Sequence, residues 1–302
     1  MKTKKFFLAF LILCLSFHAH GQRKVKFGFR AGAALTTIFG PSEKDDTGNS
    51  LESNTLAARI CVGGTVSLPF NDRFGIGAEV LFSQKGAMQR FEADNSYLKL
   101  KGNVADPASE QTFLGHKKIL SKNLTTGHIE VPLTFYAFAI KERLMFEFGP
   151  SVSFLISSES LGILKYGIID PNNPDPADFL EMEIEYKGYQ DQAGGFAAGA
   201  VDKSGRLDQT TIVYPSKIGS YYFFDEKRGN ITNMIDFGLN FGASFFFTKG
   251  LRIGTRVYYG LTDVTNNIYD INQKNLDANN QFILREDKDT NFGIQLFIGL
   301  QF

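Results

Sequence analysis

Two histidines lie downstream of the first twenty residues, and one has a carboxylate beside it. In HIEVPLTFYAFA (residues 128–139), His128 and Glu130 are two positions apart. On an extended strand that spacing puts both side chains on one face. With a serine in hydrogen-bond reach, the pair would make a nucleophile, base and acid for acyl transfer. No serine is brought to His128 by any spacing in the chain, so the stretch reads as a polar strand face. DPNNPDPADF (170–179) is rich in Asp and Asn. It lacks the alternate-residue Asp spacing, the central Gly and the closing Glu of a calcium loop. It reads instead as a solvated turn broken by proline. AGGFAAGA (193–200) follows no strand-to-helix context and makes a poor phosphate cradle. No GxxxxGK[ST], HExxH, GxSxG or CxxC occurs, so the sequence implies neither metal nor cofactor.

The remaining candidates are charges that recur on one side of apolar alternation. Lys24, Lys26, Arg30 and Arg59 come first, then Glu79, Glu130, Glu147 and Asp236, then Arg252 and Arg256. Each lies between apolar residues at alternate positions, as in MIDFGLNFGASFFF (234–247) and LRIGTRVYYGL (251–261). The same period of two runs through KVKFGFRAGAAL, ARICVGGTVSL, RFGIGAEVLF, HIEVPLTFYAFA, LMFEFGPSVSFLI and the closing FGIQLFIGLQF. Alternation of that length predicts β-strands and does not fit one face of a helix. Pro132 and Pro150 should interrupt local pairing, because proline donates nothing to a ladder.

These eight strands alternate in connection length. Residues 69–72, 140–143 and 248–250 are tight turns, whereas 39–56, 85–127, 158–234 and 263–290 are long. Short turns on one side and long loops on the other is the layout of a barrel crossing an outer membrane. The fold class expected is all-β: an eight-stranded antiparallel transmembrane β-barrel with short periplasmic turns and long extracellular loops. A soluble barrel would have to seat the phenylalanines inside, and eight strands leave a lumen only just wide enough for side chains. The 30 Phe, 30 Gly and absent Trp suit a lipid-facing exterior and a crowded interior.

The N-terminus, MKTKKFFLAFLILCLSFHAHGQ, has Lys2, Lys4 and Lys5, then apolar Phe6 to Phe17, then small residues before Gln22. It reads as a cleaved signal peptide over 1–21, with the barrel domain over 22–302. Its apolar run is too short to span as a helix. Cleavage would leave Cys61 alone, with no disulfide to make. Lys+Arg and Asp+Glu are 32 each, so no overall field draws the chain to nucleic acid.

Closing the barrel sets basic strands seven, one and two against acidic strands three to six. Unpaired buried charge is costly. Arg30, Arg59, Glu79, Glu130, Glu147, Asp236, Arg252 and Arg256 should therefore form a structural ion-pair network across the lumen. A gate or proton path from the same groups is the sharper alternative.

HIEVPLTFYAF, LMFEFGPSVSFLI, DFGLNFGASFFF, RVYYGLTDV and FGIQLFIGLQF resemble the PorT-like outer-membrane β-barrel family, common in Bacteroidetes and related to the small OmpA/OmpX-type barrels. The resemblance implies a terminal aromatic strand ending at Phe302, similar to the signal read by the barrel-assembly machinery, that closes against strand one and faces lipid. It also implies a non-enzymatic outer-membrane protein, working through its loops on a surface partner or as an accessory of a type IX secretion complex. A lipid-modifying enzyme and a small-molecule conduit are the alternatives.

Overall fold

The computed structural model describes residues 25–101, 110–167, 179–207 and 210–302. The expected signal peptide, Lys24 and all but the last residue of the Asp/Asn-rich turn lie outside them. Fifteen strands are present among the described residues. They are β1 (Lys26–Phe39), β2 (Glu52–Thr55), β3 (Ala57–Pro69), β4 (Phe74–Lys101) and β5 (Glu110–Ile140). Then come β6 (Leu144–Gly167), β7 (Leu180–Lys187), β8 (Asp202–Leu207), β9 (Thr210–Pro215) and β10 (Lys217–Ile218). The last are β11 (Ile235–Phe246), β12 (Leu251–Gly260), β13 (Ile271–Leu276), β14 (Phe282–Leu284) and β15 (Thr290–Gln301).

Eight of these carry the alternating pattern, and each pairs antiparallel with two others of the eight. β1 pairs β3, β3 pairs β4, β4 pairs β5 and β5 pairs β6. β6 pairs β11, β11 pairs β12, β12 pairs β15, and β15 returns to β1 from Gly28↔Gln301 to Phe39↔Thr290. Both prolines leave gaps. The β4–β5 ladder skips from Ala78↔Leu133 to Leu81↔Glu130 beside Pro132. The β5–β6 ladder skips from Pro132↔Ser151 to Phe135↔Phe148 beside Pro150.

Burial is inverted relative to a water-soluble sheet. Leu296 and Ile298 are 60% and 59% exposed, whereas Arg30 and Arg256 are 0% exposed. Along β11 the exposed positions are Ile235, Phe237, Leu239, Phe241 and Phe245, and buried Asp236, Asn240 and Ser244 alternate with them. A surface this apolar and this continuous belongs in hydrocarbon. The fold is all-β and membrane-barrel-like.

The long connections depart most from the sequence reading. β4 and β5 run for 28 and 31 residues, far past the expected ends of their strands, and β6 runs for 24. SYLKLK (96–101) and HKKILSKNL (116–124) form the upper part of the β4–β5 hairpin, where Tyr97 pairs with Leu114. Above the apolar band the alternation continues, but the β4–β5 register shifts between Gln89 and Phe91 and again between Ala93 and Ser96, where Asn95 takes a positive φ (+52°). A window that assumes an unbroken period does not carry across such shifts. The stretch EMEIEYKG forms β7 on the edge of β6, from Tyr166↔Leu180 to Glu159↔Lys187. β10 adds to β7 in parallel, and β8–β9 and β13–β14 are separate hairpins. Leu98, Leu100, Leu164, Tyr166, Leu180, Met182, Ile184, Ile212, Tyr214, Ile218 and Tyr222 bury each other in a core of their own. The large loops thus make a packed unit standing on the strand ends.

Candidate functional site

The inward face of the eight paired strands holds three groups of polar side chains. In the first, Arg256 on β12 is fully buried and reaches two acidic strands. Its Nη1 and Nη2 donate to the two carboxylate oxygens of Glu79 on β4, at 2.7 and 2.9 Å. Its Nε donates to Oε1 of Glu147 on β6 at 2.8 Å, and Nη2 shares that oxygen. Gly242 stands opposite Arg256 on β11, and a Cβ there would lie 2.8 Å from the Glu147 carboxylate. The glycine makes room for the pair. Arg30 on β1 approaches Glu79 at 3.4 Å and donates to the side-chain oxygen of Gln295 on β15.

One aromatic ring organises the same level. Phe297 on β15 is buried, with the guanidinium carbons of Arg30, Arg252 and Arg256 at 4.3, 5.6 and 6.0 Å from its centroid. Cations over an aromatic face are attracted by its quadrupole. Arg252 also sits 5.8 Å from the Phe246 ring and makes no ion pair among the described residues. It therefore departs from the expected acid–base pairing. The alternation puts Phe297 inward, but nothing in the sequence marks one inward Phe as a cation seat.

The second group is centred on Lys85, which the sequence reading left in a loop. Its Nζ lies 3.1 Å from Asp236 on β11 and 3.7 Å from Glu130 on β5, donates to Ser153 Oγ at 2.9 Å, and sits 3.6 Å from the Tyr258 ring. Asp236 accepts from Tyr258 Oη (2.8 Å), Asn291 (2.9 Å) and Thr262 (3.0 Å). Glu130 is fully buried, and neither of its oxygens accepts a hydrogen bond. His128 is buried nearby and bonds only Thr126 Oγ1, at 3.0 Å. No serine hydroxyl hydrogen-bonds it among the described residues; its one hydroxyl partner is Thr126. His116 lies far up the β4–β5 hairpin, paired with Asp94 and Glu92.

Arg59 makes the third group and also departs from the expected ion pairs. Its Nε donates to the carbonyl of Lys85 at 3.2 Å. Nη2 donates to the Leu124 carbonyl at 2.6 Å and to Asn123 Oδ1 at 2.8 Å, and Nη1 donates to the Ala58 carbonyl at 3.0 Å. Gly86 takes a positive φ (+116°) beside these carbonyls, and buried carbonyls need donors. The Gly86 carbonyl itself accepts from Thr36 Oγ1 at 2.8 Å. A guanidinium with five donors fits that role better than one ion pair would. Lys26 lies exposed at the rim of the short-turn end. At the other end of the chain, Phe302 is exposed and exchanges backbone hydrogen bonds with Phe27 at 2.8 and 3.1 Å.

Two hollows flank the charged groups. A small one of about 40 Å³ opens from the short-turn end and reaches Glu79, Glu147 and Arg252. A larger one of about 160 Å³ lies under the long loops, lined by Leu124, Thr232 and Tyr269 among others. No residue lines both.

Three solved structures are similar to the chain over most of its length. Ail, the attachment invasion locus protein of Yersinia pestis, is 10% identical, with 92% of this chain and 99% of that one covered and a TM-score of 0.31. The outer membrane protein OprG from Pseudomonas aeruginosa is 10% identical, with 93% and 98% covered and a TM-score of 0.37. Neisserial surface protein A is 9% identical, with 91% and 97% covered and a TM-score of 0.30. No curated protein sequence matches the chain. A family model described as an outer membrane protein beta-barrel domain matches residues 16–266. With its strand circuit, its inverted burial and that match, the chain belongs to the outer-membrane β-barrel domain family.

Proposed function

We propose that the chain is a non-enzymatic, eight-stranded closed transmembrane barrel. In this reading a signal peptide over 1–21 exports it, the barrel-assembly machinery inserts residues 22–302, and outer-membrane lipid surrounds it. The charged lumen is a structural plug, and the work is done by the extracellular unit. The observation that carries this is the separate core of that unit, built from β4, β5, β6, β7, β9 and β10. Loops that only joined strands would have no reason to bury eleven side chains together, because ordering them costs conformational entropy. A rigid, membrane-mounted platform suits recognition of another protein. The finer reading is a PorT-like role, with the platform serving as an accessory of a type IX secretion complex.

The test is a clean deletion in the native bacterium, followed by a census of secreted and surface proteins. One complementing gene carries the whole chain, and a second replaces residues 179–233 with a short Gly-Ser linker. Loss of exported cargo that only the whole chain restores supports a secretion role worked by the loops. An unchanged census rejects the secretion role and leaves a loop-displaying barrel. Equal rescue by both genes rejects the platform.

A further inference from the structure

The 160 Å³ chamber under the long loops has walls of mixed and unmatched charge. On one side Lys122 of β5 points its ammonium over the Tyr186 ring at 5.2 Å. It makes no ion pair or hydrogen bond among the described residues. On the other side Asp270, Asp287 and Asp289 hold carboxylate oxygens within 4.8 Å of one another. A single cation, Arg285, serves that group, and it is already engaged by Asp287 and by Glu52 (2.9 Å). Asp270 and Asp289 line the chamber, and Asp270 Oδ2 is buried without a hydrogen-bond partner. Burial lowers the Lys122 ammonium's pKa while Glu52, Asp270 and Asp289 draw it up from across the chamber, yet no ion pair joins Lys122 to any of them among the described residues. Between them the lining mixes rings and aliphatic groups, Tyr186, Phe223, Tyr269 and Ile271, with the hydroxyl-bearing Ser158, Ser160, Ser220, Thr232 and Thr265.

We infer that this chamber binds a small zwitterion of the amino-acid class, its carboxylate on Lys122, its ammonium at Asp270 and Asp289, and its apolar side group against the aromatic wall. A simple anion would face the three aspartates, and a simple cation would face Lys122. A molecule bearing both charges matches both ends. Size agrees, because a cavity of about 150 Å³ holds one benzene ring. Proton chemistry points the same way. Burial and the neighbouring Asp287 push the Asp270 carboxyl up to about 8, and burial lifts Asp289 to about 6. Near neutral pH Asp270 therefore keeps a proton, because burial and Asp287 outweigh the pull of Arg285. A bound ammonium would replace that proton and release it to solvent. The inference is independent of the plug reading, since the chamber lies above the charged groups and needs no passage through them.

The test uses the full mature chain refolded in detergent micelles, titrated by calorimetry at pH 7. The probes are L-leucine, 4-methylpentanoate, which lacks the ammonium, and 3-methylbutylamine, which lacks the carboxylate. Leucine is expected to bind saturably and at least tenfold more tightly than either analogue. Lys122→Met and Asp270→Asn are each expected to weaken leucine at least tenfold while keeping the folded gel mobility. Titrations in buffers of different ionisation enthalpy should show proton release in the wild type and none in Asp270→Asn. No saturable leucine binding overturns the inference. So does a loss below tenfold in both folded variants, or an analogue that binds within tenfold of leucine.

Discussion

At the scale of the residue, the lumen depends on a few cations with several acceptors each. Arg256 on β12 holds two carboxylates across the lumen, Glu79 of β4 and Glu147 of β6. Replacing it with Met leaves Glu79 and Glu147 buried without their main partner. Breaking a buried pair in this way costs about 3–5 kcal/mol. Urea unfolding of Arg256→Met in micelles or bilayers should show a loss of that size. The double variant Arg256→Met, Glu79→Gln should recover part of it, because it removes one orphaned charge. Tyr258→Phe removes a single hydrogen bond to the charged Asp236 and should cost about 1.5–3 kcal/mol in the same measurement. His128→Ala should leave the phospholipid and lipid A profile of the native membrane unchanged, since His128 touches only Thr126. A changed profile would revive the lipid-modifying enzyme.

At the scale of the element, the segment between β12 and β15 carries a built-in pH response. The Asp270 carboxyl, raised to about 8 by burial and by Asp287, holds a proton in the folded state that it loses near 4 in the unfolded chain. The folded state therefore binds more protons between about pH 4 and pH 8, and its stability falls as pH rises through that window. Asp289, raised to about 6, adds the same sign over a narrower range. Amide exchange in residues 261–289, corrected for intrinsic rates, should lose protection between about pH 4 and pH 8 and level off above it. Asp270→Asn should flatten that dependence. The paired prolines make a second element-scale case. Pro132 and Pro150 each interrupt a ladder, yet both strands continue on either side, because neighbouring registers hold the alignment.

For the whole molecule, the two hollows with no residue in common and the charged groups between them oppose free passage. Planar bilayers containing the purified protein should show no large steady conductance. A reproducible open-channel current would overturn the plug and favour the small-molecule conduit. The extracellular unit should also behave as a folded body. Protease added to intact cells should leave its core strands protected, and cleavage should concentrate in connections outside the core. Rapid trimming down to the membrane band would remove the case for a rigid platform.

The chain alone determined the transmembrane part, because a period of two is local and needs no partner to be read. Phe237, Leu239 and Phe241 state their face in their own spacing, and the charges between them follow inward. Lys85, Phe297 and the roles of Arg59 and Arg252 were decided only by tertiary structure. Lys85 lies past the end of its apolar window, and its partners Glu130 and Asp236 come from strands far along the chain. The sequence predicts an ion pair for Arg59, but the backbone carbonyls of Lys85 and Leu124 take its donors instead. The extracellular core was illegible for a related reason. The β4–β5 register shifts at Gln89/Phe91 and at Ala93/Ser96, and the buried residues come from five strands and Tyr222, which no sequence period links. A face can be written in consecutive residues, whereas a partner across a lumen is set by closure, register and the bulges that shift them.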